Sequence, residues 1–290
     1  MNKTKHIVGF SGGIDSQATA RWVINRYGAE NTILLNSQAG KNESPITVAH
    51  VANYAAIVHP VEIVTPLVKD IWKTEGFAAT RGFDGDEELT FLRLIQIKGR
   101  SPSRTAQFCS VMLKLAPQRR WVEETFGASG EFAGWDYERY TGVRRDESER
   151  RKDTPFSWFD SYFDCVCNAP LADWTKRMCF DYVEAHGEEY NPLYKLGFGR
   201  VGCAPCVNSG KEDILLWLTR FPEMIEKVRT YEQETGVTFF PPMVPGKHEG
   251  YNFIDEVIEW AKTDRGGRQF NIFRGNVERP TCESKYGLCE

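Results

Sequence analysis

Apolar and polar positions alternate along the first third of the chain in a way that separates strands from helices. His6-Ile7-Val8-Gly9 is a short apolar run of the kind that forms a buried strand. From Gln17 to Tyr27 the residues Ala18, Ala20, Trp22, Val23 and Tyr27 recur at helical spacing. Residues 31–36 predict a second strand, 45–59 a helix beginning near Ser44, and 61–64 a third short strand. This close alternation predicts an α/β fold with a doubly wound, mostly parallel sheet. Further on, the pattern predicts a helix over 67–76, a charged loop over 81–88, and a strand and its exit in 131–135 and 139–143. A helix follows over 175–186, capped by Asp173 or Thr175. Long amphipathic helices over 212–233 and 253–262 predict a helical, cysteine-bearing C-terminal subdomain. The chain therefore divides into an α/β part, 1–207, and a helical part, 208–290.

Composition narrows the class. The 290 residues suffice for a substantial core, and the net charge of -4 argues against a generally basic nucleic-acid coat. No apolar run approaches the roughly 18 to 20 residues needed to cross a bilayer. The start, Met1-Asn2-Lys3-Thr4-Lys5, leads into a strand rather than an apolar signal core, so a cytoplasmic protein with no membrane partner is expected. In that compartment the eight cysteines call for an explanation by metal, redox chemistry or burial rather than by structural disulfides.

The turn between the first strand and helix, Phe10-Ser11-Gly12-Gly13-Ile14-Asp15-Ser16, is the strongest chemical signal. Two glycines allow a tight turn and a close backbone approach, and the amides and dipole of a helix start favour phosphate oxygens. Ser11 and Ser16 add hydroxyls, while Asp15 can help hold a magnesium ion or cap the helix. In a doubly wound sheet, ligands lie at the carboxyl ends of the strands, so the turn after the second strand, Asn36-Ser37-Gln38-Ala39-Gly40, could face the same nucleotide.

The Ser-Gly-Gly-x-Asp-Ser turn resembles the pyrophosphate loop of the N-type ATP pyrophosphatases and of the related phosphoadenosine phosphosulfate (PAPS) reductase family. Glu43-Ser44-Pro45-Ile46-Thr47 is similar to that family's Glu-x-Pro-x-Thr, with Asn36 and Gln38 where an acid is common. Phe108-Cys109 to Pro117 resembles its Cys, Leu-Lys, Pro segment, which implies that Lys114 faces the phosphates and that Cys109 lies beside the reaction centre. Gly142-x-Arg144-x-x-Glu147-Ser148 resembles its Gly-x-Arg-x-x-Glu-Ser, where a guanidinium can grip phosphate or sulfate bidentately. Asn191-Pro192-Leu193-Tyr194 and Gly202-Cys203-Ala204-Pro205-Cys206 resemble its later segments. The resemblance implies a HUP-like fold binding ATP, or PAPS or adenylylsulfate (APS), with magnesium. Asp15, Lys114, Arg144 and Cys109 would be catalytic, and Ser11, Gly12, Gly13, Asp15, Ser16, Asn36, Gly142 and Arg144 would bind the nucleotide.

Cys203 and Cys206 form a Cys-x-x-Cys knuckle, and Cys282 and Cys289 form a second, distant pair. Four thiolates are the complement of a [4Fe-4S] cluster or a structural zinc, and the resemblance favours the cluster. Cys109 is either a fifth, reactive thiol or a substitute ligand. The leading function implied is an ATP pyrophosphatase that adenylylates a substrate for sulfur transfer, similar to that of DNA phosphorothioation. Arg100, Arg104, Arg119 and Arg120 leave room for a nucleic-acid substrate. The alternatives are a thiol-dependent PAPS or APS reductase using a thioredoxin-like reductant, and a non-catalytic nucleotide- or zinc-binding regulator; any of these could be oligomeric.

Overall fold

A computed structural model describes residues 3–103, 106–240 and 253–263. The elements β1 (Thr4–Gly9), α1 (Ile14–Tyr27), β2 (Thr32–Ser37), α2 (Pro45–Ile57) and β3 (Val61–Val64) follow the expected alternation. Ser44 caps α2, its hydroxyl accepting the Ile46 amide at 3.2 Å. The helix expected over 67–76 is instead a 3-10 turn, Val68–Ile71, followed by the short α3 (Trp72–Glu75). The Asp70 carboxylate accepts the Leu67 amide at 2.7 Å and holds the tighter turn. An unforeseen helix, α4 (Phe91–Lys98), has the ordinary signals of one: Thr90 caps it, Phe91, Leu94 and Ile95 form its buried face, and Gly99 ends it in the left-handed region.

After α4 come α5 (Phe108–Ser110), a π-helical turn at Val111–Leu115 and α6 (Ala116–Phe126). Residues 131–135 are turn and irregular chain rather than strand, and the strand starts only after them, as β4 (Asp136–Tyr140). Then follow β5 (Ser157–Asp160), β6 (Cys165–Asn168), α7 (Lys176–Ala185) and α8 (Pro192–Lys195). Thr175 is the cap of α7, accepting the Met178 amide. The long helix expected over 212–233 is two helices, α9 (Lys211–Arg220) and α10 (Pro222–Thr235), because Pro222 cannot continue a helix but can begin one. The last described helix is α11 (Ile254–Ala261).

The six strands form one sheet in the order β3-β2-β1-β4-β6-β5, parallel throughout except for β5, an antiparallel edge. The chain fills one side of β1 with β2 and β3, then crosses to the other side at β4, so the sheet reverses direction between β1 and β4. A crevice opens beyond the strand ends at such a point. Ile7, Leu35 and Val64 pack beneath α6 on one face, and Val8, Leu34, Val51 and Tyr54 pack between the sheet, α1 and α2 on the other. The largest core joins α9, α10 and α11 to α4 and to Leu193, Phe198, Val201 and Ala204. It spans the division drawn from the sequence at 207/208.

The exit of β4 lies directly against the start of α1. A Cβ on Gly142 would stand 2.8 Å from the Asp15 carbonyl carbon and 3.0 Å from the Ser16 amide nitrogen, both backbone atoms that cannot swing aside. Gly142→Ala should therefore lower stability to chemical denaturation by about 1–3 kcal/mol, the usual cost of overpacking. The equally modest Gly199→Ala, whose Cβ would meet nothing within 4 Å, is the control.

Candidate active site

The turn at 10–16 is built from its own side chains and from β2. Gly12 takes φ +80, which suits glycine alone, and a Cβ there would press on Val51 and Thr47 of α2. The Ser11 amide donates to Ser16 Oγ at 3.2 Å, the Ser16 hydroxyl donates to the Gly13 carbonyl at 2.9 Å, and the two hydroxyls stand 3.1 Å apart. Asn36 donates to the Phe10 carbonyl at 2.8 Å, tying the end of β2 to the turn. Above these groups lies a cavity of about 580 Å³, lined among others by Ser11, Ser16, Asn36, Lys114, Arg139 and Gly142. Its size suits a nucleotide-sized ligand.

Asp15 and Arg144 are placed differently from the expectation. Neither lines the cavity, and both are fully buried behind it, with Arg144 Nε 2.9 Å from Asp15 Oδ1 and the same guanidinium also paired with Asp146. An enclosed carboxylate committed to a guanidinium does not fit a magnesium ligand, and Arg144 joins the β4 exit to α1 rather than gripping a phosphate. Glu147 is likewise a packing residue, paired with the fully buried Arg151. The arginines that line the cavity are Arg139, whose place in a strand gave no sign of it, and Arg150. Arg139 lies over the Phe163 ring at 3.4 Å and donates to Gln118 at 2.9 Å.

Lys114 faces the cavity as expected. It sits in the π-helical turn, a rare geometry that adds a residue to the helix and re-aims the side chains around it. The Ser37 hydroxyl donates to the Lys114 carbonyl at 2.9 Å and pins that turn to β2. Lys114 also lines a second, small cleft with Cys109, Arg200, Cys203 and Cys206. Three thiols separated by nearly a hundred residues thus converge beside the main cavity. Burial, reinforced by the neighbouring Cys203 and Cys206, pushes the Cys109 thiol up to about 12, and burial also raises Cys203. Such thiols are protonated at neutral pH unless a metal, a ligand or a partner lowers them. Glu43 lines the main cavity and pairs through its backbone with Cys203, and burial opposed by Lys114 moves its carboxyl up to about 7.

Soft thiolate donors are the right chemistry for iron-sulfur or zinc. Among the described residues, however, no group of three or more potential ligands is arranged to hold a metal ion. Cys282 and Cys289, expected to complete the set, lie outside the described residues, as does Arg104. Cys165, Cys167 and Cys179 are buried in the core, as packing residues should be. Arg119 and Arg120 are paired with Glu123, and with Asp70 and Glu124. That pairing weakens the basic patch proposed for nucleic acid.

Residues 98–209 match the family model of the phosphoadenosine phosphosulfate reductase domain. Over that stretch the chain is similar to the PAPS reductase domain. It is 32% identical over 221 residues to an uncharacterized 37.8 kDa protein of Escherichia phage 186, which covers 69% of this chain and 64% of that protein. It is 35% identical over 112 residues to the adenosine 5'-phosphosulfate reductase of Salinibacter ruber, 38% of each chain. A crystal structure of the PAPS reductase from Candida auris matches with a TM-score of 0.44 at 15% identity, over 70% of this chain and 82% of that one. The chain spans less than two thirds of the length of these curated relatives. The PAPS reductase-like match begins just before Cys109 and ends just after Cys206, so it encloses all three converging thiols and Lys114.

Two outcomes follow from these placements. Arg144→Met, which leaves Asp15 buried without its guanidinium partner, should cost about 3–5 kcal/mol of stability, and adding Asp15→Asn should recover much of it. A double-mutant cycle by chemical denaturation measures the coupling. Glu43 has a folded-state value of about 7 against an ordinary 4.5, so the folded protein keeps a proton that the unfolded chain releases. Its contribution to stability therefore falls as pH rises from 4.5 to about 7. Relative to the unaltered protein, Glu43→Gln should gain stability across that window and level off above it; a constant difference would contradict the assignment.

Proposed function

We propose that this PAPS reductase-like protein is an enzyme that binds an adenine nucleotide in the cavity above the Ser11–Ser16 turn and performs sulfur chemistry at the adjoining thiols. The observation that carries the reading is the position of Lys114, which lines the nucleotide cavity and the Cys109–Cys203–Cys206 cleft alike. A cation between the two can neutralise charge on a phosphate or sulfate while it is handed to a thiol. Ser11, Ser16, Asn36 and Arg139, which line the same cavity, supply the remaining polar groups. Asp15 and Arg144 act as positioning residues beneath the turn.

The first finer reading is an ATP pyrophosphatase that adenylylates an acceptor. An acceptor oxygen attacks the α-phosphorus, pyrophosphate leaves, and a sulfur nucleophile then displaces AMP. The Ser-Gly-Gly-x-Asp-Ser turn supports it. The second is a sulfonucleotide reductase, supported by the names of the relatives from Salinibacter ruber and Streptomyces coelicolor. There a thiolate attacks the sulfonucleotide sulfur and the nucleotide leaves; a second thiol releases sulfite and leaves a disulfide, which a thioredoxin-like reductant reopens. A [4Fe-4S] cluster or a zinc ion held by Cys203 and Cys206 with Cys282 and Cys289 would supply electrostatic or redox chemistry beside Lys114.

Incubation with ATP or with APS and PAPS, followed by assay of pyrophosphate and of sulfite, separates the two readings. Pyrophosphate release dependent on an acceptor supports the first, and sulfite without ATP turnover supports the second. Lys114→Ala should reduce either activity by at least about 100-fold, the scale of losing one electrostatic donor to the transition state. Tight ATP binding with neither product would show a regulator instead. An anaerobic absorbance spectrum with metal analysis distinguishes iron-sulfur, zinc and metal-free thiols.

A further inference from the structure

The segment leading from α7 to the Cys-x-x-Cys knuckle grips the phosphate turn from behind. Asn191 is fully buried; its Nδ2 donates to the Gly12 carbonyl at 3.3 Å and to Thr47 Oγ1 at 3.2 Å, while its Oδ1 accepts the Leu193 amide at 3.0 Å. Three residues on, the Tyr194 hydroxyl accepts the Ile14 amide at 3.1 Å. Ile14 is the first residue of α1, so its N–H is one of those that the helix itself leaves unpaired. This is one of the amides that would otherwise turn towards any acceptor within reach. Around the hydroxyl, the Tyr194 ring is fixed edge-on against Phe180 at 5.1 Å, with the Lys176 ammonium over its face.

We infer that Tyr194 is a positioning residue for phosphate recognition: its hydroxyl fixes the start of α1, and with Asn191 it holds the Gly12–Ile14 backbone so that Ser11 and Ser16 on either side of it are presented to the cavity. The inference rests on the proposal that the cavity binds an adenine nucleotide. Two independent anchors on adjacent peptide units, the Gly12 carbonyl and the Ile14 amide, leave the intervening turn little freedom to rotate. A turn so held has less ordering left to lose when an anion arrives, which is the general benefit of preorganisation. The hydroxyl contributes nothing to the fit of an adenine ring or ribose. Its removal therefore acts on the phosphate alone.

Tyr194→Phe keeps the ring, its neighbours and its volume while deleting the acceptor of the Ile14 amide. Binding of AMP and of adenosine to the full chain, measured by calorimetry, tests the inference. AMP should bind about 3- to 10-fold more weakly to the variant, the effect of one neutral hydrogen bond, with adenosine unchanged. In the ligand-free protein the Ile14 amide should exchange with solvent faster in Tyr194→Phe than in the unaltered chain. Equal affinity for AMP, or equal weakening of AMP and adenosine, would overturn the inference and leave the nucleotide site standing. No binding of AMP by the unaltered protein would remove the site and the inference together.

Discussion

The close contact between the exit of β4 and the first turn of α1 is the constraint on which the site depends. Gly142 permits it, because any side chain would strike the Asp15 and Ser16 backbone. Asp15 and Arg144 then close it with an ion pair that water does not reach. Two buried charges cost much of what their attraction returns, so the pair adds little to net stability compared with an apolar filling. What it contributes is registry: α1 cannot shift along the sheet without separating the charges. The polar ends of β1, β2 and β4 thereby converge on one crevice.

That crevice and the thiol cleft meet at a single side chain. The π-helical turn at Val111–Leu115 sets Lys114 between them, and the Ser37 hydroxyl holds the turn against β2. On the far side, the backbone of Glu43 pairs with Cys203, and Ala204 donates to the Asn42 carbonyl at 2.7 Å. The main cavity and the thiol cleft therefore share walls. Charge developing in one is felt in the other at short range and in a largely buried setting, where electrostatic interactions are least screened.

Much of this was legible in the chain. Short apolar runs and helical spacing placed the first three strands and two helices, and the glycine-serine turn marked one wall of the main cavity. Lys114 and the Cys109–Cys203–Cys206 set were legible through the family resemblance. The burial of Arg144 against Asp15 was not legible, because a motif conveys which residues occur together and not whether a guanidinium turns towards a cavity or into the core. Arg151 hid in a charge run whose composition looks solvated, yet it is fully buried against Glu147. Arg139 was hidden by its place in a strand, since register across β1 and β6 decides which face it joins. Pro222 was a visible signal, and it splits the expected long helix in two.

The distance along the chain between the two halves of the phosphate turn has a consequence for how the protein is made. The Tyr194 hydroxyl reaches the Ile14 amide across 180 residues, so the turn leaves the ribosome long before its support does. At about 5–20 residues per second, the gap is roughly 10–40 s of synthesis. During that interval β1, α1 and β2 can already pair, but the anion site has no back wall. The turn gains that support only when the segment carrying the Cys-x-x-Cys knuckle is about to emerge. Completion of the cavity's floor and arrival of Cys203 and Cys206 thus come almost together, late in translation.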